Sequence, residues 1–218
     1  MSAFPVFMEM EDEMCLIVGG GRVAYRKARV LCQTGARVHV ISKTFDERFV
    51  GLKKDGVQCH EVNDGVEAVK DWLQCEKIAL LICATDDAEI NHRLACLGKM
   101  HHIPVNSATN PKDCTFYFPS LVRRGDLTIG VSTGGKVPAL SRMAAEQIGQ
   151  MFPDWYGKLT KVSGQAREKM KGLSFSFEER KNILESILKT GIKYEGNIDE
   201  ATVDQMIQKN QAVEKNDH

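Results

Sequence analysis

Along roughly the first 110 residues, short unbroken apolar runs alternate with longer stretches whose apolar positions recur every three or four residues. This is the rhythm of parallel strands joined by covering helices. Cys15-Leu16-Ile17-Val18 predicts the first strand, and Ala24 to Thr34 a helix with Ala24, Ala28, Leu31 and Cys32 on one face, closed by Gly35. Val38 to Ile41 follows as the second strand. Lys77 to Ala84 reads as a strand buried on both faces, Ala88 to Met100 as a helix and Ile103 to Asn106 as a further strand. Beyond Pro111 the pattern changes. Thr115 to Pro119 and Leu127 to Ser132 are strand-like, and Arg123-Arg124-Gly125-Asp126 between them is a turn signal. From Pro138 the spacing of Leu140, Met143, Ala144, Ile148 and Met151 predicts a helix ended by Pro153, and a further helical region reaches about Lys189. The last dozen residues, from Met206, are polar and are expected to fray.

Charge and composition narrow the classes of partner. With 29 basic and 29 acidic residues the formal net charge is zero, so no global field draws the chain to nucleic acid or to an anionic membrane. No apolar run approaches the roughly 18 to 20 residues that span a bilayer, and the start, Met1-Ser2-Ala3-Phe4-Pro5, has neither the basic region nor the apolar core of a signal peptide. A cytoplasmic location is expected. Seven cysteines, an odd number with no C-x-x-C pair, argue against a disulfide framework or a cysteine-based zinc site. Most read as small core residues.

Val18-Gly19-Gly20-Gly21-Arg22-Val23-Ala24 fits G-x-G-x-x-A directly after a predicted strand and at the opening of a predicted helix. Gly19 permits a tight turn, Gly21 lets the backbone approach a pyrophosphate, and Ala24 lets helix and sheet pack closely. The helix N-terminus offers free N–H donors to phosphate. A Rossmann-type unit binding a nicotinamide dinucleotide is expected. The acidic residue that would accept hydrogen bonds from the adenosine ribose about 20 positions on is missing, and the second strand ends Ile41-Ser42-Lys43-Thr44. Lys43 either pairs with a 2′-phosphate, favouring NADP, or is a solvated surface lysine. Ala84-Thr85-Asp86-Asp87 lies at the carboxyl end of the buried strand, where such sheets place their ligand crevice, making Thr85 and Asp86 cofactor-site candidates. Asp87 reads as the cap of the helix that follows.

Five segments together resemble one family. They are Pro5-Val6-Phe7; Val18 to Ala28; Ala84-Thr85-Asp86-Asp87 with Asn91; Phe116-Tyr117-Phe118-Pro119-Ser120; and Val131-Ser132-Thr133-Gly134-Gly135 with Pro138-Ala139-Leu140-Ser141-Arg142. In order and spacing they resemble the dehydrogenase and ferrochelatase module of siroheme synthases. The resemblance implies an α/β chain in three parts. These are a Rossmann-type parallel sheet over residues 1–112, a small α+β dimerisation module over 113–152 and a helical C-terminal domain over 153–218. It further implies an intertwined homodimer, oxidation of precorrin-2 to sirohydrochlorin with NAD and, in some members, insertion of ferrous iron as substrate. Gly21, Arg22, Val23, Lys43 and Thr44 would line the dinucleotide, with the nicotinamide near Thr85 and Asn106.

One departure bears on the chemistry. The family pattern has an aspartate after Asn-Val-x, and here the segment reads Asn106-Ser107-Ala108-Thr109. A neutral hydroxyl orients a substrate or water but does not take up a proton near neutral pH as a carboxylate does. Either Asp113, Asp86 or a histidine of the pair His101-His102 accepts the proton, or the proton leaves directly to water, or the chain binds dinucleotide or tetrapyrrole as a carrier or regulator without catalysis. His101 and His102 also admit a metal reading, but adjacent side chains on a helix-to-strand link diverge, and no stably bound metal is expected. Ser132-Thr133-Gly134-Gly135-Lys136 is a candidate nest for the substrate's carboxylates, with Arg123, Arg124, Lys136 and Arg142 as candidate cations. The alternative is a plain turn with solvated charges. Lys158, Lys161, Arg167, Lys169 and Lys171 read as a solvated basic face or a cover for an anionic tetrapyrrole, and no nucleic-acid motif is present.

Overall fold

The computed structural model describes residues 3–214. The chain forms two compact units with the boundary between Phe118 and Pro119. The first is built on five parallel strands, β1 (Met14–Val18), β2 (Arg37–Ser42), β3 (Gln58–Glu61), β4 (Leu80–Cys83) and β5 (Val105–Ser107). Their order in the sheet is β3-β2-β1-β4-β5. The strands are thus laid down outward on one side of β1 and then, from β4, on the other, and this switch point opens a crevice at the carboxyl ends of β1 and β4. Both faces are covered. On one, Ile17, Val40 and Ile82 pack against α1 (Arg22–Cys32) and α2 (Phe49–Lys54) through Ala24, Ala28, Leu31 and Phe49. On the other, Leu16, Ile41 and Leu81 meet α3 (Gly65–Cys75) and α4 (Ala88–Met100) through Val69, Leu94 and Ala95. Fully buried β1 and β4 are apolar throughout for that reason.

Local chemistry sets the helix starts. Asp64 caps α3, accepting from the N–H groups of Val66 (2.8 Å) and Glu67 (3.2 Å), and Asp87 caps α4, accepting from Glu89 (2.8 Å) and Ile90 (3.0 Å). The expected capping role of Asp87 is thus what the structure shows.

The β2 and β3 side chains facing α3 include a polar cluster. His39, 5% exposed, has Nδ1 3.1 Å from Nε2 of His60, and both rings meet Trp72 edge-on. Burial foremost, then the neighbouring His60, lowers the His39 pKa from its ordinary 6.5. The folded state therefore binds fewer protons at His39 than the unfolded chain does. This contribution to stability is complete above about pH 6.5 and is lost as pH falls towards the lowered folded value. Thermal melts should show a fall in Tm between about pH 7.5 and about pH 5.5, and His39→Leu should flatten that slope. An equal slope in both proteins would remove His39 as the cause.

The second unit opens with an antiparallel ribbon, β6 (Ser120–Arg124) and β7 (Leu127–Val131), joined at Gly125-Asp126. Four helices follow: α5 (Pro138–Met151), α6 (Trp155–Lys171), α7 (Phe177–Lys193) and α8 (Glu200–Glu214). Leu159, Met170, Ile187, Val203 and Ile207 form the core of α6 to α8. A capping box of Ser176 and Glu179 starts α7.

Three local expectations are corrected. Thr115 to Pro119 is not a strand. The Thr115 N–H donates to the Val105 carbonyl (2.8 Å), Phe116 and Phe118 pack into the first core, and Pro119 has no N–H for a ladder. The turn is Gly125-Asp126 alone, since Arg123 and Arg124 of β6 pair with Thr128 and Leu127 of β7 and Gly125 takes the left-handed conformation at φ 56°. Frayed residues from Met206 onward are not found up to Glu214, because Ile207 is buried in the helical core. Residues 215–218 lie outside the described residues. The apolar stripe on α5 also faces outward: Ser141 and Ala145 are buried while Leu140, Met143 and Met151 are exposed.

Candidate functional site

The glycine turn between β1 and α1 is shaped by two close backbone approaches and one open side. Gly19 has φ 117°, and a Cβ there would lie 2.3 Å from the Ala84 carbonyl oxygen at the end of β4. A Cβ on Gly20 would lie 2.0 Å from the Thr44 carbonyl, and the Gly20 carbonyl accepts from the Asp46 N–H at 2.8 Å. Gly20, which the motif leaves unspecified, is thus as sterically demanding as Gly19. Gly21 has no atom within 4 Å of its would-be Cβ. It is the N-cap of α1 without a side-chain capping bond, and the first turn holds no acidic residue. Free N–H groups and a positive helix end therefore face open space, a fit for a diphosphate, with Arg22 and Val23 exposed at the rim.

At the carboxyl end of β2, Lys43 and Thr44 are exposed. The carboxylate that follows, Asp46, is engaged by Arg48, which donates from Nε (2.7 Å) and Nη2 (2.5 Å). These bonds and that of the Arg48 N–H hold the Asp46 pKa down at about 2. The ribose end is thus rimmed by a cation.

Beside β4, a second network surrounds fully buried Asn91 on α4. Its Oδ1 accepts from the Thr85 N–H (3.1 Å) and hydroxyl (2.8 Å), and its Nδ2 donates to the Thr85 carbonyl (3.0 Å) and to Thr109 Oγ1 (3.3 Å). Because the Thr85 N–H only donates and its carbonyl only accepts, the amide has one orientation. Thr109 Oγ1 also lies 3.3 Å from Ser107 Oγ. One of its lone pairs is taken by Asn91, leaving the hydroxyl hydrogen for Ser107 or a ligand. Asp86, exposed, follows Thr85.

Asn106 belongs to a different network from Thr85. It is 5% exposed; its Oδ1 accepts from Lys27 Nζ, and its Nδ2 donates to the Phe116 carbonyl (2.9 Å). The Lys27 ammonium lies 4.3 Å from the centre of the Phe118 ring, and burial pushes its pKa down to about 8. Sequence reasoning passed over Lys27, although its place three residues after Ala24 put it beside the sheet-facing arc of α1. Asp113 is buried too. Its Oδ1 is 3.0 Å from His92 Nδ1 and 4.0 Å from Lys99 Nζ, so the carboxylate is engaged by α4 rather than by Thr109. His101 and His102 are both exposed. Among the described residues no three His, Cys, Asp or Glu side chains converge as a metal site.

The remaining candidates lie in the second unit. Ser132 Oγ accepts from the Gly134 N–H (3.1 Å), and Thr133 Oγ1 accepts from the Val137 N–H (3.1 Å) and lies 3.1 Å from Ser141 Oγ. Gly134 and Gly135 are both left-handed, at φ 63° and 77°, and Lys136 and Arg142 are exposed. Arg124 is committed to the end of α5, donating to the carbonyls of Phe152 (2.6 Å) and Gly149 (2.9 Å) and pairing with Asp154 at 3.1 Å. An open cleft of about 780 Å3 between β6 and α5 is lined by Arg123, Arg142 and Glu146 among others.

Comparison with known proteins agrees with this geometry. Residues 6–120 match the model of an NAD(P)-binding family. A siroheme synthase of Nitrosomonas eutropha is 35% identical over 189 residues, 86% of this chain and 39% of that protein. A siroheme synthase of Ruthia magnifica is 31% identical over 212 residues, 95% of this chain and 44% of that protein. The chain thus spans about two fifths of the length of the curated relatives it matches. The solved structure of SirC, a precorrin-2 dehydrogenase, superposes with a TM-score of 0.72 at 20% identity, covering 96% of this chain and 100% of that one, which establishes the shared fold. This chain belongs to the NAD(P)-binding family whose model its residues 6–120 match.

Proposed function

We propose that this protein oxidises precorrin-2 to sirohydrochlorin with a nicotinamide dinucleotide. The observation that carries the reading is the open, uncapped glycine turn at the carboxyl end of the central strand β1 with the fixed Thr85–Asn91–Thr109 network at the end of the neighbouring β4. A bound NAD supplies the hydride acceptor. The chain's own work is to bind and orient. The N–H groups at the start of α1 hold the diphosphate, with Arg22 and Val23 at its rim and Gly19 keeping the turn against β4. Thr85 and Asp86 stand at the end of β4, where the nicotinamide of a Rossmann unit lies. Thr109, its oxygen held by Asn91, orients the substrate by its hydroxyl, and the proton released beside the hydride leaves to water.

Lys43 is exposed at the end of β2 and Asp46 is engaged by Arg48, so NADP should serve as well as NAD. In the second unit, the Ser132-Thr133-Gly134 turn with Lys136 and Arg142 offers N–H groups and cations to the substrate's carboxylates. The exposed Leu140, Met143 and Met151 of α5 suit a homodimer interface, and sedimentation at micromolar concentration should give a dimer; a monomer there would refute it. Among the described residues no helix is long and apolar enough to cross a membrane. The catalytic reading is tested by anaerobic oxidation of precorrin-2 with NAD or NADP, with ferrous iron added afterwards as substrate to read any insertion. Absence of turnover with both dinucleotides would overturn it.

A further inference from the structure

One residue beyond Asn91, α4 carries a cluster that the oxidation does not use. Cys96 and His92 sit one helical turn apart on the same exposed face, with Cys96 Sγ 3.6 Å from His92 Nε2. The other ring nitrogen, Nδ1, is 3.0 Å from Oδ1 of Asp113. Asp113 is 4% exposed, and its Oδ2 is buried with no hydrogen-bond partner among the described residues. Lys99, 4.0 Å from the same carboxylate, adds a cation next to Cys96 on the helix. A thiol, an imidazole and a buried carboxylate therefore stand in series, each within reach of the next. With Nδ1–H donating to Asp113, Nε2 is left as the acceptor that faces the sulfur.

We propose that Cys96, His92 and Asp113 form a reactive-thiol site, modified by hydroperoxides and by soft electrophiles. The Cys96 proton passes to His92 Nε2, and buried Asp113 stabilises the imidazolium so formed. The thiolate sulfur attacks one oxygen of a hydroperoxide, a sulfur–oxygen bond forms and the oxygen–oxygen bond breaks. The leaving oxygen takes the proton back from His92. Sulfur is oxidised to the sulfenic acid and the peroxide is reduced, giving water when hydrogen peroxide is the oxidant. With an alkylating agent the same thiolate displaces halide and the proton ends in solvent. The surroundings suit modification rather than hydrolysis: Cys96 is exposed on a helix face.

Cys75, the other exposed cysteine, provides an internal standard, because among the described residues it makes no hydrogen bond to a histidine. The folded full chain is treated with limiting iodoacetamide, and separately with hydrogen peroxide plus a sulfenic-acid trap, and adducts are quantified by peptide mass spectrometry. Cys96 should react about tenfold faster than Cys75 in both, and His92→Gln should bring Cys96 down to the Cys75 rate. Labelling of buried Cys15 and Cys83 reports any loss of fold in the variant, while the wild-type ratio stands without it. Equal rates at Cys96 and Cys75 in the wild-type protein would overturn the proposal, as would an unchanged Cys96 rate in a folded His92→Gln protein.

Discussion

Replacing Gly21 with aspartate should abolish dinucleotide binding while leaving the protein at least as stable as before. Gly21 has φ −85° and ψ −173°, extended backbone open to any residue, and its would-be Cβ meets nothing within 4 Å. Aspartate is a favoured N-cap, so its carboxylate would accept from the free N–H groups of α1 and add a few tenths of a kcal/mol over glycine. The same carboxylate would occupy the place of the diphosphate and repel it. A like charge at about 4 Å in a site of intermediate dielectric costs several kcal/mol, so affinity should fall roughly a hundredfold or more. Calorimetric titration with NAD and a thermal melt separate the two effects. Gly20→Ala makes the opposite case: its Cβ would lie 2.0 Å from the Thr44 carbonyl, so stability and binding should fall together. NAD binding unchanged in Gly21→Asp would place the cofactor elsewhere.

Thr109→Asp should accelerate precorrin-2 oxidation by about a hundredfold in kcat with little change in KM. The hydroxyl it replaces already accepts from Asn91 Nδ2 at 3.3 Å and lies 3.3 Å from Ser107 Oγ, so a carboxylate would enter a place with two donors at hand. It would add a proton acceptor where the wild-type chain has a neutral hydroxyl. The pH profile should gain an acid limb, the rate rising with pH as the new carboxylate ionises. An unchanged kcat in a folded variant would show that proton removal at this position does not limit the reaction.

Much of the first unit was legible because β1 and β4 are buried on both faces. Cys15 to Val18 and Leu80 to Cys83 are continuous apolar blocks, and α4 runs as its spacing predicts, Ala88–Met100, as does α5 in the second unit, Pro138–Met151. The stretch from α2 to α3 was not read. β3 is an edge strand whose residues, Gln58-Cys59-His60-Glu61, are only partly covered, and α2 has six residues, too few to show a period. Thr115 to Pro119 looked like a strand because packing of Phe116 and Phe118 against a core produces the same alternation as pairing does. In the site, the glycine turn and Thr85 follow from position alone. The part played by Asn91, and the settings of Lys27 and Asp113, depend on partners distant in the chain, Thr109, Phe118 and His92, which no local pattern announces.

The most direct measurement is the rate of sirohydrochlorin formation from precorrin-2 under anaerobic conditions, in the presence of NAD, by the wild-type chain and by Gly21→Asp. The wild-type protein should form sirohydrochlorin well above the protein-free rate with matching production of NADH, and Gly21→Asp should fall to that baseline. A wild-type rate no greater than the protein-free control, in a preparation shown to bind NAD, would contradict the proposed oxidation.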